Sequence, residues 1–371
     1  MKLICLQEKL FPILSAVSRI ASLNKSGLPI LNNILLSTEN SYLKLVATNL
    51  EIAIEGKLRA KIEKEGNITI PSQIFNNYIS SLPKENINLE VKDNELLIKT
   101  KSQKAKIKAI SSEEFPIIPQ PIKKEKIVLK SDDFKKALKQ TLFAIGEKEA
   151  RVEISGALFS LAGKNLTIVG TDSYRLIEKT IKVKENDYQG KELIIPKKTL
   201  EEVLRIIKDE DKEDIFIYPS ENQILFSYQD FSLVSQIISS DFPNYKEIIP
   251  KNFKTKIIFR KESLLQIIKT ASLFARSGIN DLKIKFLPKE EKIIISSLNN
   301  QVGENEAELK VEISGNNNDV SFNYQYLLDG LLNLGGDELS LEIIDSNLPG
   351  VIRSTSDDSF LYLIMPIKSN E

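Results

Sequence analysis

Apolar residues recur at helical spacing in three places along the chain, each directly after a run of strand character. The runs begin at Lys2, Lys126 and Lys256, as "KLICLQEKLFPILSAVSRI", "KIVLKSDDFKKALKQTLFAI" and "KIIFRKESLLQIIKTASLF". Positions four and then three apart share one face of a helix, the face that packs on a core. In the three stretches these positions are Leu10, Leu14 and Val17, then Phe134, Leu138 and Thr141, then Leu264, Ile268 and Ala271. The pattern predicts the same strand and helix three times.

A second predicted helix also occurs three times. Its segments are "IPSQIFNNYISSL" from Ile70, "IPKKTLEEVLRII" from Ile195 and "FNYQYLLDGLLNL" from Phe322. Pro71 and Pro196 suit the first turn of a helix, where a missing N–H costs nothing. The apolar face comprises Phe75, Ile79 and Leu82, then Leu200, Leu204 and Ile207, then Leu327, Leu331 and Leu334. The two helices therefore repeat together, at intervals of roughly 125 residues.

Strand-like alternation and turn residues occupy the rest of each repeat, for example in "NINLEVKDNELLIKT". Two segments, "ISSEEFP" ending at Pro116 and "ISSDFP" ending at Pro243, precede connectors that contain Pro and Lys and are typical of extended linkers. We predict three domains, 1–125, 126–251 and 252–371. The predicted class is α+β, with two helices packed on antiparallel sheets in each domain.

Three repeats with two helices on one surface suit a closed arrangement. Two chains joined head to tail would supply about 12 helices, which at a spacing of about 9 Å trace a circumference of roughly 110 Å. After the side chains are allowed for, a hole of roughly 25 Å remains, wide enough for a nucleic-acid duplex. Closure would also remove exposed sheet edges. The pattern predicts a ring with the helices inside and the sheets outside.

Composition excludes several kinds of chemistry. The chain has no histidine and one cysteine, so Ser-His and Cys-His nucleophile pairs, imidazole ligands and thiolate zinc sites are ruled out. No glycine-rich nucleotide motif and no nucleophile-elbow motif occurs. Cys5 is expected to be a small buried residue of the first strand. We therefore expect no enzyme activity and no cofactor.

Composition also bounds the location of the protein. A lone cysteine suits a reducing compartment, and no apolar run approaches the ~18 residues that cross a membrane. The opening "MKLICLQEKLFPILS" holds charges inside its apolar stretch and has no small-residue cleavage site, so no signal peptide is expected. These features predict a soluble, cytoplasmic protein without a membrane partner.

Charge is balanced over the whole chain, with 51 Lys and Arg against 51 Asp and Glu. The six predicted helices carry a small positive excess. Its carriers are Lys135, Lys139, Lys197, Lys198, Arg205, Lys269 and Arg276. Mild positive charge would suit a protein that slides along DNA, because tight phosphate binding would stop it. An ordinary solvated helix face would have the same composition.

The stretch "GTDSYRL" could be a catalytic cluster, a turn or a contact point for another molecule. The first repeat carries "ATNLEI" at the same place, so Thr171-Asp172 corresponds to Thr48-Asn49. The shared pair predicts a turn in which a side chain bonds to nearby backbone at the end of a strand. Tyr174 and Arg175 have no counterpart in the first repeat, which has Leu50-Glu51 there. These two residues are therefore the better candidates for a function.

Five segments occur in the order found in one protein family. They are "LPILNNILL" (28–36), "LVATNLEI" (45–52), "GTDSYRL" (170–176), "SSDFPNYKEIIP" (239–250) and "LIMPIK" (363–368). With the threefold repeat, they make essentially the whole chain resemble the bacterial DNA polymerase III beta subunit, the family of sliding clamps. The resemblance implies a non-catalytic, head-to-tail homodimeric ring around double-stranded DNA, without sequence preference. It also implies three kinds of protein partner: the DNA polymerase III alpha subunit, a clamp loader, and other proteins with short clamp-binding peptides.

The resemblance implies a pocket that holds those peptides. Two positions depart from the family: Tyr174 stands where His is usual, and Glu247 stands near a usual basic residue. Both departures could alter the polar contacts and the peptide preference. The implied pocket comprises Ile154, Thr171, Ser173, Tyr174, Arg175, Leu176, Pro243, Ile248, Leu348, Gly350, Leu363, Met365, Pro366, Ile367 and Lys368.

The resemblance also suggests where DNA and a second copy bind. Lys25 and Lys148 lie near the positions where the family contacts DNA, although Asn24 is an alternative to Lys25. From the helix faces we add four cations as candidate DNA contacts: Lys135, Lys139, Lys198 and Arg205. The candidate dimer contacts are Leu273 and Phe274, at the end of the third repeat's first helix, and Ile107 on the facing edge strand; alternatively, the first two are core residues.

Two other functions remain open at this point. A carboxylate-dependent metalloenzyme would need Asp337, Glu338, Glu342 and Asp345 to converge in a cleft. A monomeric interaction scaffold with no role on DNA would share the same repeat pattern.

Overall fold

The computed structural model describes residues 1–24, 27–118, 121–146 and 151–368. Each helix pattern of the sequence coincides with a helix of the structure. The helices are α1 (Gln7–Ser22), α2 (Ser72–Ser81), α3 (Ser131–Leu142), α4 (Lys197–Ile206), α5 (Lys261–Ala271) and α6 (Tyr324–Asn333). Leu82, Ile207 and Leu334 each lie one residue beyond a helix, yet all three are buried. The other predicted face positions are buried as well, with one exception: Leu204 of α4 is only partly buried, because the neighbouring Val203 takes the core position.

One polar residue sits within these apolar faces. Thr141 of α3 occupies the position of Val17 in α1 and is fully buried. Its Oγ1 donates a hydrogen bond of 2.7 Å to the carbonyl of Ala137, one turn earlier. The hydroxyl is therefore satisfied within its own helix and can be buried at little cost.

The first of two compact units comprises Met1–Asp132, Val183–Gln189 and Glu201–Ile237. It contains a five-stranded antiparallel sheet, whose order is β5 (Lys61–Lys64), β1 (Lys2–Leu6), β7 (Asn86–Lys92), β8 (Glu95–Lys99) and β9 (Lys104–Lys108). Its nine-stranded sheet has the order β14 (Glu185–Asn186), β10 (Ile127–Lys130), β16 (Asp214–Pro219), β17 (Gln223–Tyr228), β18 (Phe231–Gln236), β4 (Ile52–Arg59), β3 (Tyr42–Thr48), β2 (Asn33–Glu39) and β6 (Asn67–Pro71).

The second unit comprises Asp133–Lys182, Gly190–Leu200 and the chain from Ile238 onward. Its nine-stranded sheet has the order β15 (Leu193–Pro196), β11 (Gly156–Ala162), β12 (Asn165–Thr171), β13 (Arg175–Lys182), β27 (Phe360–Ile364), β26 (Gly350–Ser354), β25 (Glu338–Ile343), β19 (Thr255–Arg260) and β23 (Glu312–Gly315). Its four-stranded sheet has the order β22 (Gly303–Lys310), β21 (Lys292–Asn299), β20 (Asp281–Leu287) and β24 (Asn318–Asn323).

Strand pairing explains why the chain divides into two units although it has three repeats. β18 of the second repeat pairs with β4 of the first, and β27 of the third repeat pairs with β13 of the second. Each nine-stranded sheet therefore joins two repeats, and the middle repeat is shared between the units. The boundaries 1–125, 126–251 and 252–371 stay a prediction.

Tight packing around two glycines and one thiol marks the core. A Cβ on Gly56 would lie 2.4 Å from Ile13, and one on Gly330 would lie 2.2 Å from the ring of Tyr362, so helix and sheet approach there more closely than a side chain allows. Cys5 is buried, as predicted, and burial raises the pKa of its thiol to about 12.

Among the described residues, no helix is both long and apolar enough to cross a membrane.

Candidate functional site

The floor of the candidate pocket lies where β13 pairs with β27 in the second unit. Leu176 of β13 is the cross-strand partner of Leu363 on β27, which is in turn the partner of Val351 on β26. All three side chains are buried, and they belong to one apolar cluster. Antiparallel register places directly opposed residues on the same face of a sheet. The row therefore forms a continuous apolar floor.

The segment that follows the second repeat packs against this floor. Phe242, Tyr245 and Ile249 contact the apolar cluster. The hydroxyl of Tyr245 donates a 2.6 Å hydrogen bond to Oε2 of Glu178, and burial together with this carboxylate raises the pKa of Tyr245. Phe242 meets the ring of Tyr245 edge-on at 6.2 Å. The predicted linker is thus anchored on the sheet and forms one side of the pocket.

The "GTDSYRL" stretch forms a turn between β12 and β13. Oγ1 of Thr171 donates to the carbonyl of Arg175 at 2.7 Å, and Oδ1 of Asp172 accepts from the backbone N–H groups of Tyr174 and Arg175 at 3.0 Å each. Ser173 has a φ of 77°, a left-handed conformation that is uncommon outside glycine. These local hydrogen bonds hold Ser173 in that conformation.

The first repeat makes the same turn with different residues. Oγ1 of Thr48 donates to the carbonyl of Ile52 at 3.0 Å, and Oδ1 of Asn49 accepts from the N–H groups of Glu51 and Ile52. Leu50 has a φ of 76°, as Ser173 has in the second repeat. The prediction that this pair is shared architecture is confirmed, and Asp172 is a turn residue here.

Arg175 holds the turn to the rest of the second unit. Its Nε donates to Asp172 Oδ2 at 2.9 Å, its Nη1 to Asp329 Oδ2 at 2.6 Å and its Nη2 to the carbonyl of Phe143 at 3.0 Å. The guanidinium carbon also lies 4.6 Å from the ring centroid of Tyr326. Asp329 and Asp172 raise the pKa of Arg175 despite its burial. Arg175 therefore holds the turn in place, and its guanidinium is committed to these partners.

Tyr174 offers the exposed aromatic surface of the site. Its side chain is 61% exposed, and its ring stacks on Tyr326 with centroids 6.3 Å apart. Its carbonyl accepts a 2.8 Å hydrogen bond from the N–H of Met365. Tyr174 is thereby held beside the segment that carries Met365, and its ring remains available to a ligand.

The other predicted pocket residues fall into three groups. Ile248 and Leu348 are exposed apolar side chains. The buried members of the set are Ile154, Thr171 and Gly350, and a Cβ on Gly350 would lie 2.7 Å from Phe322, which is part of the core. The remaining members, partly or largely exposed, are Ser173, Pro243, Met365, Pro366, Ile367 and Lys368.

Val152, near the turn, was not among the predicted pocket residues, and the structure gives Glu247 a hydrogen-bond partner. Val152 is 57% exposed and follows Arg151, whose Nη1 donates to Oγ of Ser173 at 3.1 Å. An apolar residue in a polar loop was the available signal. Glu247 accepts a 2.7 Å hydrogen bond from Asn244, so its carboxylate is held within the linker.

The predicted DNA contacts differ in their exposure. Lys25 and Lys148 lie outside the described residues. Lys139, Lys198 and Arg205 are exposed. Lys135 is only 8% exposed. A lysine buried to this extent is not available to a phosphate, so we withdraw Lys135 as a DNA contact.

Arg205 belongs to a small ion cluster within the first unit. The carboxylate of Glu202, which is buried, is bonded to Arg205 and also accepts from Nε of Arg19 at 3.3 Å. A buried carboxylate is tolerated when it is paired in this way. The charge of Arg205 is therefore partly neutralised.

The predicted dimer contacts divide between surface and core. Leu273 is 72% exposed and Phe274 is partly exposed, both in a short 3-10 turn after α5. Ile107 is buried, because it points to the inner face of β9 opposite Leu96. Leu273 and Phe274 remain candidates, whereas Ile107 is a core residue of its own sheet.

Two sheet edges carry opposite charges. β9 ends the five-stranded sheet and exposes Lys104, Lys106 and Lys108, whereas β22 ends the four-stranded sheet. The exposed acidic residues of β22 are Glu304, Glu306 and Glu308. Alternation in "KAKIK" and "GENEAELK" was a readable signal that the sequence analysis missed.

Two of the four acidic residues in the metalloenzyme hypothesis have other partners. Glu342 accepts from Nζ of Lys256 at 3.0 Å, and Asp345 Oδ1 accepts from the backbone N–H of Asn347. Within the described ranges, no group of three or more acidic or thiol side chains is arranged to hold a metal ion. These positions give no support to a carboxylate metal site.

Comparisons with known proteins agree with this geometry. Family models for the N-terminal, central and C-terminal domains of the DNA polymerase III beta subunit match residues 1–119, 128–244 and 246–368. The beta sliding clamp of Chlamydia pneumoniae is 28% identical over 372 residues, which cover 100% of both chains. That of Bacillus subtilis is 28% identical, over 98% of this chain and 97% of the relative.

A solved structure shares the fold over its full length. The crystal structure of the DNA polymerase sliding clamp from Bacillus subtilis superimposes with a TM-score of 0.95 and 26% identity, covering 100% of this chain and 99% of that one.

Proposed function

Because the chain belongs to the DNA polymerase III beta subunit family, the sliding clamps, we propose that two copies of it close head to tail into a ring around double-stranded DNA. Membership makes the chain a DNA sliding clamp of replication, a processivity factor without catalytic activity of its own. Three successive matching domains, in order over nearly the whole chain, carry this conclusion.

The homodimer contact is supported by the two charged edges. An unpaired edge strand presents free backbone N–H and C=O groups, which readily pair with another strand. The lysines of β9 in one copy would face the glutamates of β22 in the other, and opposite charges across a strand pair are favourable. Leu273 and Phe274 would supply apolar contact beside β22. Like edges would repel, so the charges favour a head-to-tail pairing.

Contact with DNA is independent of sequence in this proposal. The exposed cations Lys139, Lys198 and Arg205, together with Lys25 and Lys148, would contact phosphates. Phosphate contacts carry no sequence information, and few of them keep the affinity low enough for sliding.

The pocket of the second unit would hold partner peptides. An apolar floor beside exposed Tyr174 and Ile248 suits short segments with apolar anchors. We assign to it the DNA polymerase III alpha subunit, the clamp loader and other proteins with short clamp-binding peptides. With such partners, the protein would act in the cytoplasm, where the bacterial chromosome lies.

Topological trapping on DNA tests this function. After loading by a clamp loader, the protein should stay on a nicked circular plasmid through gel filtration and should leave once a restriction enzyme linearises the plasmid. Equal retention on circular and linear DNA would contradict the ring. Loss from both would favour a scaffold without a DNA role.

A further inference from the structure

The first unit contains an open counterpart of the covered apolar floor. β4 pairs with β18 in the first nine-stranded sheet, as β13 pairs with β27 in the second. Leu35 and Val46 occupy the positions of Leu158 and Val169 in the next repeat. Leu158 and Val169 are buried, whereas Leu35 and Val46 are only partly buried. The same sheet face is therefore closed in one unit and accessible in the other.

Smaller side chains at the strand junction explain the opening. Ala53 stands where the second sheet has Leu176, and Val234 stands where it has Leu363. Between these strands and the linker residues 115–118 lies a groove of about 280 Å³, and a second depression of about 240 Å³ adjoins it along the same linker. A water molecule takes about 30 Å³ of liquid. The groove has room for a leucine-sized side chain and the backbone that carries it.

The linker over this groove lacks the tyrosine that bonds its counterpart to the sheet. Phe115 is buried like an anchor, but Ile117 is 94% exposed at the rim of the groove. Ile118 takes the place of Tyr245, so the linker has no hydroxyl to bond the sheet. Ile117 is a large apolar side chain with little cover, and a ligand in the groove would contact it.

The charge of the groove is acidic. Glu55 corresponds to Glu178, whose carboxylate is occupied by Tyr245, whereas Glu55 lines the open groove. Glu51 lines the adjoining depression. Among the described residues that line the two depressions, these are the charged ones. The ammonium of Lys44 bonds Glu39, and this bond, together with the nearby charge of Glu55, raises the pKa of Lys44.

We propose that this groove, between β4, β18 and linker residues 115–118, binds a short segment of another protein that carries a leucine-sized apolar residue next to Lys or Arg. The apolar residue would pack over Ala53 and Val234, which are cross-strand partners, and the cation would pair with Glu55. Complementary charge commits the site to a basic peptide, because two glutamates would repel nucleic-acid phosphates. The site is distinct from the pocket of the second unit and would serve a different class of partner.

Methyl NMR of the full chain with labelled isoleucine tests this site. Ile117 and Ile118 report on the open groove, and Ile248 and Ile249 report on the pocket of the second unit. The probe is the blocked peptide acetyl-Lys-Leu-Phe-Arg-amide, and the matched control is acetyl-Glu-Leu-Phe-Glu-amide. We expect saturable shifts at Ile117 and Ile118 with the basic peptide, and at least about fivefold weaker binding of the acidic one.

Two variants test separately how the volume of the groove and the charge of Glu55 contribute to peptide binding. Ala53→Leu restores the residue found in the second repeat and should abolish the shifts at Ile117, whereas Glu55→Gln should weaken binding about threefold. Tyr174→Ala, in the other pocket, should change nothing at Ile117. Equal binding of both peptides, no saturable shift up to about 5 mM peptide, or shifts confined to Ile248 and Ile249 would overturn the proposal. None of these outcomes bears on retention on circular DNA.

Discussion

Nη1 of Arg175 donates a 2.6 Å hydrogen bond to Oδ2 of Asp329, and this bond ties the turn before β13 to helix α6. The same guanidinium also bonds Asp172 and the carbonyl of Phe143. Three elements that are distant in sequence thus meet on one side chain. The exposed ring of Tyr174, next in sequence, owes its position to this arrangement.

Arg175→Ala should lower the melting temperature by about 2–6 °C, because Asp172 would lose its charge partner in a largely buried place. Arg151→Ala is the matched control, since Arg151 is half-exposed and bonds Glu153 and Ser173 at the surface. It should shift the melting temperature by less than about 2 °C. Differential scanning calorimetry measures both. Equal shifts for the two variants would show that Arg175 has no special structural role.

Changing both Leu273 and Phe274 to Ala should give folded monomers. The two side chains are exposed or partly exposed in the single chain, so their loss removes little from its core and much from an apolar interface. Light scattering at micromolar concentration distinguishes monomer from dimer. Leu332→Ala, which truncates another exposed leucine, is the control and should remain dimeric. Dimers of the double variant would place the interface elsewhere.

Charge reversal tests the pairing of the two edges. Lys104→Glu with Lys108→Glu should weaken the homodimer about tenfold or more, since like charges would then face each other. Glu304→Lys with Glu308→Lys should weaken it similarly. A mixture of the two variants should form heterodimers, detected by native mass spectrometry. Failure of the mixture to restore pairing would argue against β9 and β22 as partners.

Tyr174→Ala should weaken a peptide from the DNA polymerase III alpha subunit about tenfold, because the ring is exposed and stacks on Tyr326 without filling the core. The melting temperature should not change. Fluorescence anisotropy with a labelled peptide measures the affinity, and Ile117→Ala is the control outside this pocket. Leu363→Ser is a poorer test, because Leu363 is buried and its loss would disturb the sheet. Undiminished binding to Tyr174→Ala would move the site away from this turn.

Lys139→Ala with Lys198→Ala should reduce both loading onto DNA and the slope of its salt dependence. The reason is that fewer counterions are released from DNA on binding when the protein makes fewer phosphate contacts. Lys25→Ala with Lys148→Ala should act in the same direction. Lys135→Ala is the informative comparison, since burial removes that lysine from solvent. A salt series that leaves all three slopes alike would contradict the assignment of DNA contacts to these helices.

Local features were readable from the sequence. Apolar spacing located six helices, because the helical period depends only on neighbouring positions. The Thr48-Asn49 and Thr171-Asp172 turns were predicted as a shared device, and both make the same side-chain bonds to backbone within four residues. The ordered motifs also indicated the family, which the domain matches confirm.

Features that depend on distant residues required the structure. Arg175 and Asp329 are 154 positions apart, so no local pattern indicated that the guanidinium is occupied. Burial of Lys135 and Ile107 depends on which face of α3 and β9 meets a neighbour.

The sequence by itself determined the repeat, the helices, the turns and the family of this protein, because periodicity and short-range hydrogen bonding are properties of adjacent residues. Only the tertiary structure decided which of the predicted cations are exposed, which aromatic ring of the turn is exposed and which of two equivalent sheet faces is open. Ala53 and Leu176 occupy the same place in their repeats, yet one borders an open groove and the other a closed floor. That difference depends on the volumes that the linker and three strands bring together, and packing volume is a sum over residues far apart in the chain.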